Sequence, residues 1–168
     1  MDTRERLRQE IEDTRLAFHR LLDSLPAEAL SLPSSNPAWN VGQVLYHIAI
    51  IPRYMIVEVV MIRRQVWPYQ LLPRLIPKGL FDGLNARMTR FGARGTSRQR
   101  LAETYDRSYQ ASLRALASVP DTDFDKHLDY PLWDLLLAGE VTVEYLFGYI
   151  KRHFDSHAVQ IENVIQNQ

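Results

Sequence analysis

The 168-residue chain contains no cysteine. That absence excludes disulfides, thiolate metal sites, iron-sulfur clusters and a protein-borne thiol nucleophile, so any metal must be held by histidine or carboxylate. Net charge is missing as well. Twenty Lys and Arg balance twenty Asp and Glu, which leaves no global basic field to gather nucleic acid. The opening MDTRERLRQE has no apolar core of the signal-peptide kind, and the expected compartment is the cytoplasm. No hydrophobic run is uninterrupted. The most apolar stretch, 41–62, carries Gln43, His47, Pro52, Arg53 and Glu58; these are costly in hydrocarbon, so it reads as a buried helix and no membrane partner is expected. Also lacking are a G-x-S-x-G elbow, a P-loop, a dinucleotide-binding glycine fingerprint and an RNP-like aromatic motif.

What is present is helical periodicity. Leu7, Ile11, Phe18, Leu21, Leu22 and Leu25 recur at three- and four-residue steps, predicting an amphipathic helix over 3–25 that Asp2 or Thr3 caps and Pro26 stops. Asn40 followed by Gln43 is a capping-box pair, so a second helix begins at Val41 and runs to about residue 66, bent at Pro52. Leu101, Tyr105, Tyr109, Leu113 and Leu116 predict a third helix over 97–118, ended by Pro120. Leu146, Tyr149, Ile150, His153, His157, Ile161 and Val164 predict a fourth over 142–165. No segment alternates with a period of two. The expected fold is all-α, one domain over 1–168, with a long crossover, 67–95, between helices two and three. That connection contains WPYQLLPRLIPKGLF, too apolar to lie idle in solvent, and is expected to cover a groove or meet a partner chain. Between Arg63 and Arg107 ten basic residues face three acids. They make either a solvated face or an anion-attracting rim.

Five histidines carry most of the functional signal. His153 and His157 are four apart on one helix, so both project from the same face, one turn apart, within reach of a single metal ion. His47 sits mid-helix in the apolar setting VLYHIAII. A lone buried histidine is commonly a satisfied core residue, but three on inward faces must find partners or bind something. A zincin needs Glu after the first His, where Phe154 stands, and a carboxylate-bridged di-iron site needs Glu three residues before each His, where Ile150 and Phe154 stand. A mononuclear site with three neutral nitrogens and an open position remains, suited to Zn, Ni, Co or Fe(II). His19 and His127 are expected at the surface, Tyr149 and Tyr54 on the inner faces near the ligands, and Trp133 in the core or a pocket wall.

Together, NPAWNVGQVLYHIA (36–49) and YIKRHFDSHAVQIE (149–162) resemble the DinB superfamily of small metal-binding helical bundles, over nearly the whole chain. The resemblance implies a four-helix bundle of up-down-down-up topology, a divalent metal such as zinc or nickel on His47, His153 and His157 with water as fourth ligand, and a homodimer. It also implies thiol transfer or isomerisation with a low-molecular-weight thiol, or hydrolysis of a small substrate. A cofactor thiolate would supply the sulfur that this cysteine-free chain lacks. The alternative is a non-catalytic binding or protective protein whose metal is structural or absent. No Asp or Glu is fixed by spacing as a general base.

Overall fold

The computed structural model describes residues 1–66, 76–134 and 136–166. It is mostly helical. Helix α1 spans Thr3–Ser24, α2 Val41–Arg63, α3 Lys78–Gly92, α4 Arg98–Ser118 and α5 Val143–Gln166. Two short 3₁₀ turns, Ala27–Ser31 and Asp121–Asp123, follow α1 and α4. Two elements lie outside the four expected helices, and the second departs from the all-α expectation. A helix, α3, occupies part of the crossover, and an antiparallel hairpin of β1 (His127–Asp134) and β2 (Leu137–Thr142) precedes α5. The 67–75 part of the crossover and the side chain of Trp133 lie outside the described residues.

Local chemistry sets the helix boundaries. The Asp2 side chain accepts from the Arg4 amide at 3.3 Å, and Ser97 accepts from the Arg100 amide at 3.2 Å, so each satisfies a donor that the first turn leaves free. At α2 the box closes both ways: Asn40 Oδ1 accepts from the Gln43 amide at 2.8 Å, and Gln43 Oε1 accepts from the Asn40 amide at 3.0 Å. Helix α2 ends at Arg63, three residues earlier than expected. Pro52 lies inside it, buried.

Helices α1 and α2 each pack against α4 and α5, so one apolar core lies among the four. Leu7, Ile11, Phe18 and Leu22 of α1 meet Leu101, Tyr105 and Leu116 of α4 and Leu146, Phe147 and Ile161 of α5 in that core. Phe18 and Tyr105 stack with ring centroids 4.3 Å apart. Helix α2 is, by length and composition alone, long and apolar enough to cross a membrane. Eleven of its residues are buried in the protein, which accounts for that composition.

Helices α1 and α4 run in opposite directions and are tied reciprocally at both ends. Arg4 donates to the Leu116 carbonyl at 2.7 Å, while Arg98 donates to the Asp23 carbonyl at 3.4 Å and to that of Leu25. Neither helix has a basic residue in its own last turn, so each takes the cation that suits its negative end from the start of the other.

Candidate metal centre

The α2 cap fixes where His47 points. Trp39 precedes the cap residue, is 8 % exposed, and lies beside the His47 ring at 4.7 Å between centroids. His47 follows two turns into the helix. Against it pack His153 and His157 of α5, one turn apart, with ring centroids 4.9 and 5.3 Å from His47 and 4.5 Å from each other. Each ring offers a nitrogen, and the three nitrogens lie within 4.8 Å of one another. The Nε2 atoms of His47 and His153 are 3.1 Å apart. Tyr149, buried one turn before His153, walls the other side at 5.3 Å between ring centroids.

Burial decides the protonation of these rings. Desolvation, reinforced by the neighbouring His157, pushes His47 down to about 3. Burial, followed by the proximity of His47 and His157, likewise holds His153 well below the ordinary imidazole value. Both are therefore neutral at physiological pH, the form in which imidazole binds a metal or exchanges a single hydrogen bond. The half-buried His157 is oriented by Gln160, whose Oε1 is 3.1 Å from Nδ1. A proton on Nδ1 donated to that oxygen leaves Nε2 as a lone-pair donor.

The donor set fits a divalent cation. Zinc–nitrogen bonds of about 2.0–2.1 Å in a tetrahedron separate two ligand nitrogens by about 3.3 Å, close to the spacing that His47 and His153 already have. His47 Nδ1 is buried and has no hydrogen-bond partner, as is Trp39 Nε1 beside it. The outer-sphere acceptor that commonly fixes a ligating histidine is thus present for His157 and not for His47.

The remaining expected positions divide. Tyr149 lies beside the triad, but Tyr54 is 42 % exposed on α2 and does not share the inner face. Its offset from His47 is seven residues, and packing turned that face outward. His127 is exposed, in β1, with Glu140 at 3.9 Å. His19 is not a simple surface residue: its Nε2 is 2.9 Å from Asp106 of α4, which also accepts from Arg15 at 2.7 Å. Partial burial opposes ionisation of Asp106, yet these two partners hold its carboxyl below the usual value. Five of the ten basic residues in the run are engaged within the protein. Arg100 donates to the Arg94 and Gly92 carbonyls, Arg98 to the end of α1, and Arg90 to Ala38, while Arg63 pairs with Asp123 and Lys78 with Asp82. Gln160 was not anticipated, although its spacing of three from His157 places it on the same helix face.

A family model for the DinB superfamily matches residues 10–161. The chain belongs to the DinB superfamily. Among solved structures, the DinB protein is similar to the crystal structure titled mycothiol-dependent maleylpyruvate isomerase, with a TM-score of 0.70 and 12 % sequence identity over 96 % of this chain. It spans 61 % of that isomerase's length. At this identity the likeness establishes a shared fold. A search of curated protein sequences finds no match.

Proposed function

We propose that this DinB protein holds one divalent metal ion on His47, His153 and His157 and uses it in a thiol-dependent reaction on a small electrophilic substrate. The observation that carries the reading is the convergence of three imidazoles from α2 and α5, those of His47 and His153 buried and neutral, in a chain that has no thiol of its own. The mycothiol dependence named for the structural neighbour supports the thiol. A cation held there would supply Lewis acidity, favouring the anionic form of a bound thiol or water. Gln160 would keep the His157 proton on Nδ1, Trp39 and Tyr149 would restrict the His47 and His153 rings, and the buried faces of α2 and α5 would limit water at the site. Zinc or nickel suits a three-nitrogen set, with iron(II) and cobalt next. Hydrolysis of a small substrate is the nearest variant of the same chemistry. The cross-helix contacts of α1 with α4 and of α2 with α5 support an up-down-down-up order.

A second reading has its own observation. The 3.1 Å contact between His47 and His153 is a hydrogen bond if one neutral ring donates to the other, which would satisfy a core pair without metal. Such a bundle would be a non-catalytic binding protein. Metal analysis of untagged protein by inductively coupled plasma mass spectrometry separates the two readings. Near-stoichiometric metal, lost in His47→Ala, His153→Ala and His157→Ala and kept in His127→Ala, supports the first and justifies screening low-molecular-weight thiols with electrophiles. Protein that stays empty after incubation with zinc and with nickel overturns it.

A further inference from the structure

Helix α3 turns its small and polar side to the body, where Thr89 is fully buried and Ala86 packs against the core. Its large apolar residues face solvent: Leu80 is 64 % exposed, Leu84 57 %, Met88 47 % and Phe91 69 %, with Phe81 at 40 %. At about 100° per residue these five fall within an arc of about 100°, so the stripe is continuous. Taking about 180 Å² per large side chain, their exposed fractions amount to about 500 Å², the size of patch that marks a contact site on a soluble protein. The first half of the helix stands clear of the body. Residues 77–84 are exposed throughout, and a methyl placed on Gly79 or Gly83 would meet nothing within 4 Å.

Charge of one sign is arranged around that stripe. Over 78–100 six cations stand against a single acid, Asp82, in a chain whose net charge is zero. Asp82 is taken by Lys78 at 2.8 Å. Arg90, Arg98 and Arg100 donate to backbone carbonyls, which orients them and leaves their charge uncancelled. Arg87 is exposed and has no partner among the described residues. At the same step of about 100° per residue, Arg87 and Arg94 follow one edge of the stripe within about 40°, whereas Asp82 lies about 150° from its centre. The Arg94 guanidinium sits 4.9 Å from the centre of the Phe91 ring, so its stem runs along the stripe and its charge stays at the border. We propose that α3 is an interfacial anchor, whose stripe beds into the surface of an anionic lipid bilayer with Arg87 and Arg94 at the level of the phosphates. Such a surface supplies both halves of the pattern at once, acyl chain for the stripe and negative charge for the cations beside it. The contact is peripheral and leaves α2 in the core of the bundle. It does not depend on the metal.

Co-sedimentation of the full chain with extruded vesicles tests it. The wild type is expected to pellet with phosphatidylcholine vesicles containing about 30 % phosphatidylglycerol, to pellet far less with phosphatidylcholine alone, and to be released as salt rises. Each arginine near such a surface changes partitioning about fivefold, so Arg87→Gln/Arg94→Gln should bind about 25-fold more weakly. Leu80→Glu/Leu84→Glu should abolish binding with the far-UV circular dichroism retained, and Leu16→Glu, at an exposed site on α1, should leave it unchanged. A wild type that stays in the supernatant with anionic vesicles overturns the proposal, including one whose stripe is covered instead by another protein chain. Equal pelleting with neutral and anionic vesicles, or binding that survives either double substitution, overturns it as well. Should the glutamate variant unfold, the exposed arginine pair and the lipid and salt dependence of the wild type still decide.

Discussion

Lowering the pH of the metal-free protein from about 7.5 to about 5 should destabilise it through the buried imidazoles. His47 has a folded value of about 3 against an ordinary 6.5. Between those values the unfolded chain takes up a proton that the folded chain refuses. Stability is therefore whole above the unfolded value and is lost as the pH falls toward the folded one. At pH 5 the gap from the unfolded value is about 1.5 units, which at 1.36 kcal/mol per unit gives about 2 kcal/mol from His47 alone. His153 acts in the same direction because its burial depresses it too. Ordinary carboxylates keep their charge in this window, so histidine protonation dominates the slope. A loss of this size is a large fraction of a typical domain's 5–15 kcal/mol. Urea unfolding of chelator-treated protein at several pH values reads it as a falling midpoint, and His47→Gln/His153→Gln should flatten the curve. Adding zinc near neutral pH should raise the wild-type midpoint, with the gain fading on acidification as protons compete for the same nitrogens. An unchanged midpoint between pH 7 and 5, or an equal slope in the double variant, would refute the reasoning.

Three further substitutions test the frame around the site. Gly92→Ala places a methyl 2.6 Å from Tyr46 Cε1, and the forced displacement should cost about 1–3 kcal/mol in thermal unfolding, recovered largely by adding Tyr46→Leu. Asn40→Ala removes the acceptor of the α2 cap; a loss of about 1 kcal/mol is expected, with a smaller effect on α5 amides than on the first turn of α2 in hydrogen exchange. Phe18→Ala empties a fully buried ring site against Tyr105, and denaturant unfolding should register about 3–5 kcal/mol.

The four core helices could be read from the chain because their apolar residues face inward, so the spacing of Leu7, Ile11 and Phe18 reports packing directly. Caps were equally legible, since Asn40 and Gln43 carry their own partner three residues away. Helix α3 was not. Its large apolar side chains point to solvent, Gly79 and Gly83 interrupt it, and the residue it buries most is Thr89, so no core-facing period exists to detect. The hairpin was hidden for a different reason. Its register is irregular between Tyr130 and Asp134, and Gly139 sits at φ +71°, so the alternation of Leu128 and Val141 never extends far enough to stand out. In the site, sequence placed the three histidines on inward faces, and spacing excluded rival metal motifs. It misplaced Tyr54: seven residues return an α-helix to within about 20° of the His47 face, so the spacing predicts burial, yet Tyr54 is 42 % exposed because burial depends on what packs against that turn and not on spacing alone. It also read His19 as a surface residue, since its partner Asp106 lies 87 positions away.

The reciprocal arginines between α1 and α4 make neither helix end independent. Breaking the Arg98 contacts frees the last carbonyls of α1 and at the same moment loosens the first turn of α4, and Arg4 does the same at the other end. Fraying, ordinarily a private event of one terminus, becomes a shared opening. The beginning of the chain and residues near 116 should then exchange their amide protons as one cooperative unit, and residues near 25 and 98 as another.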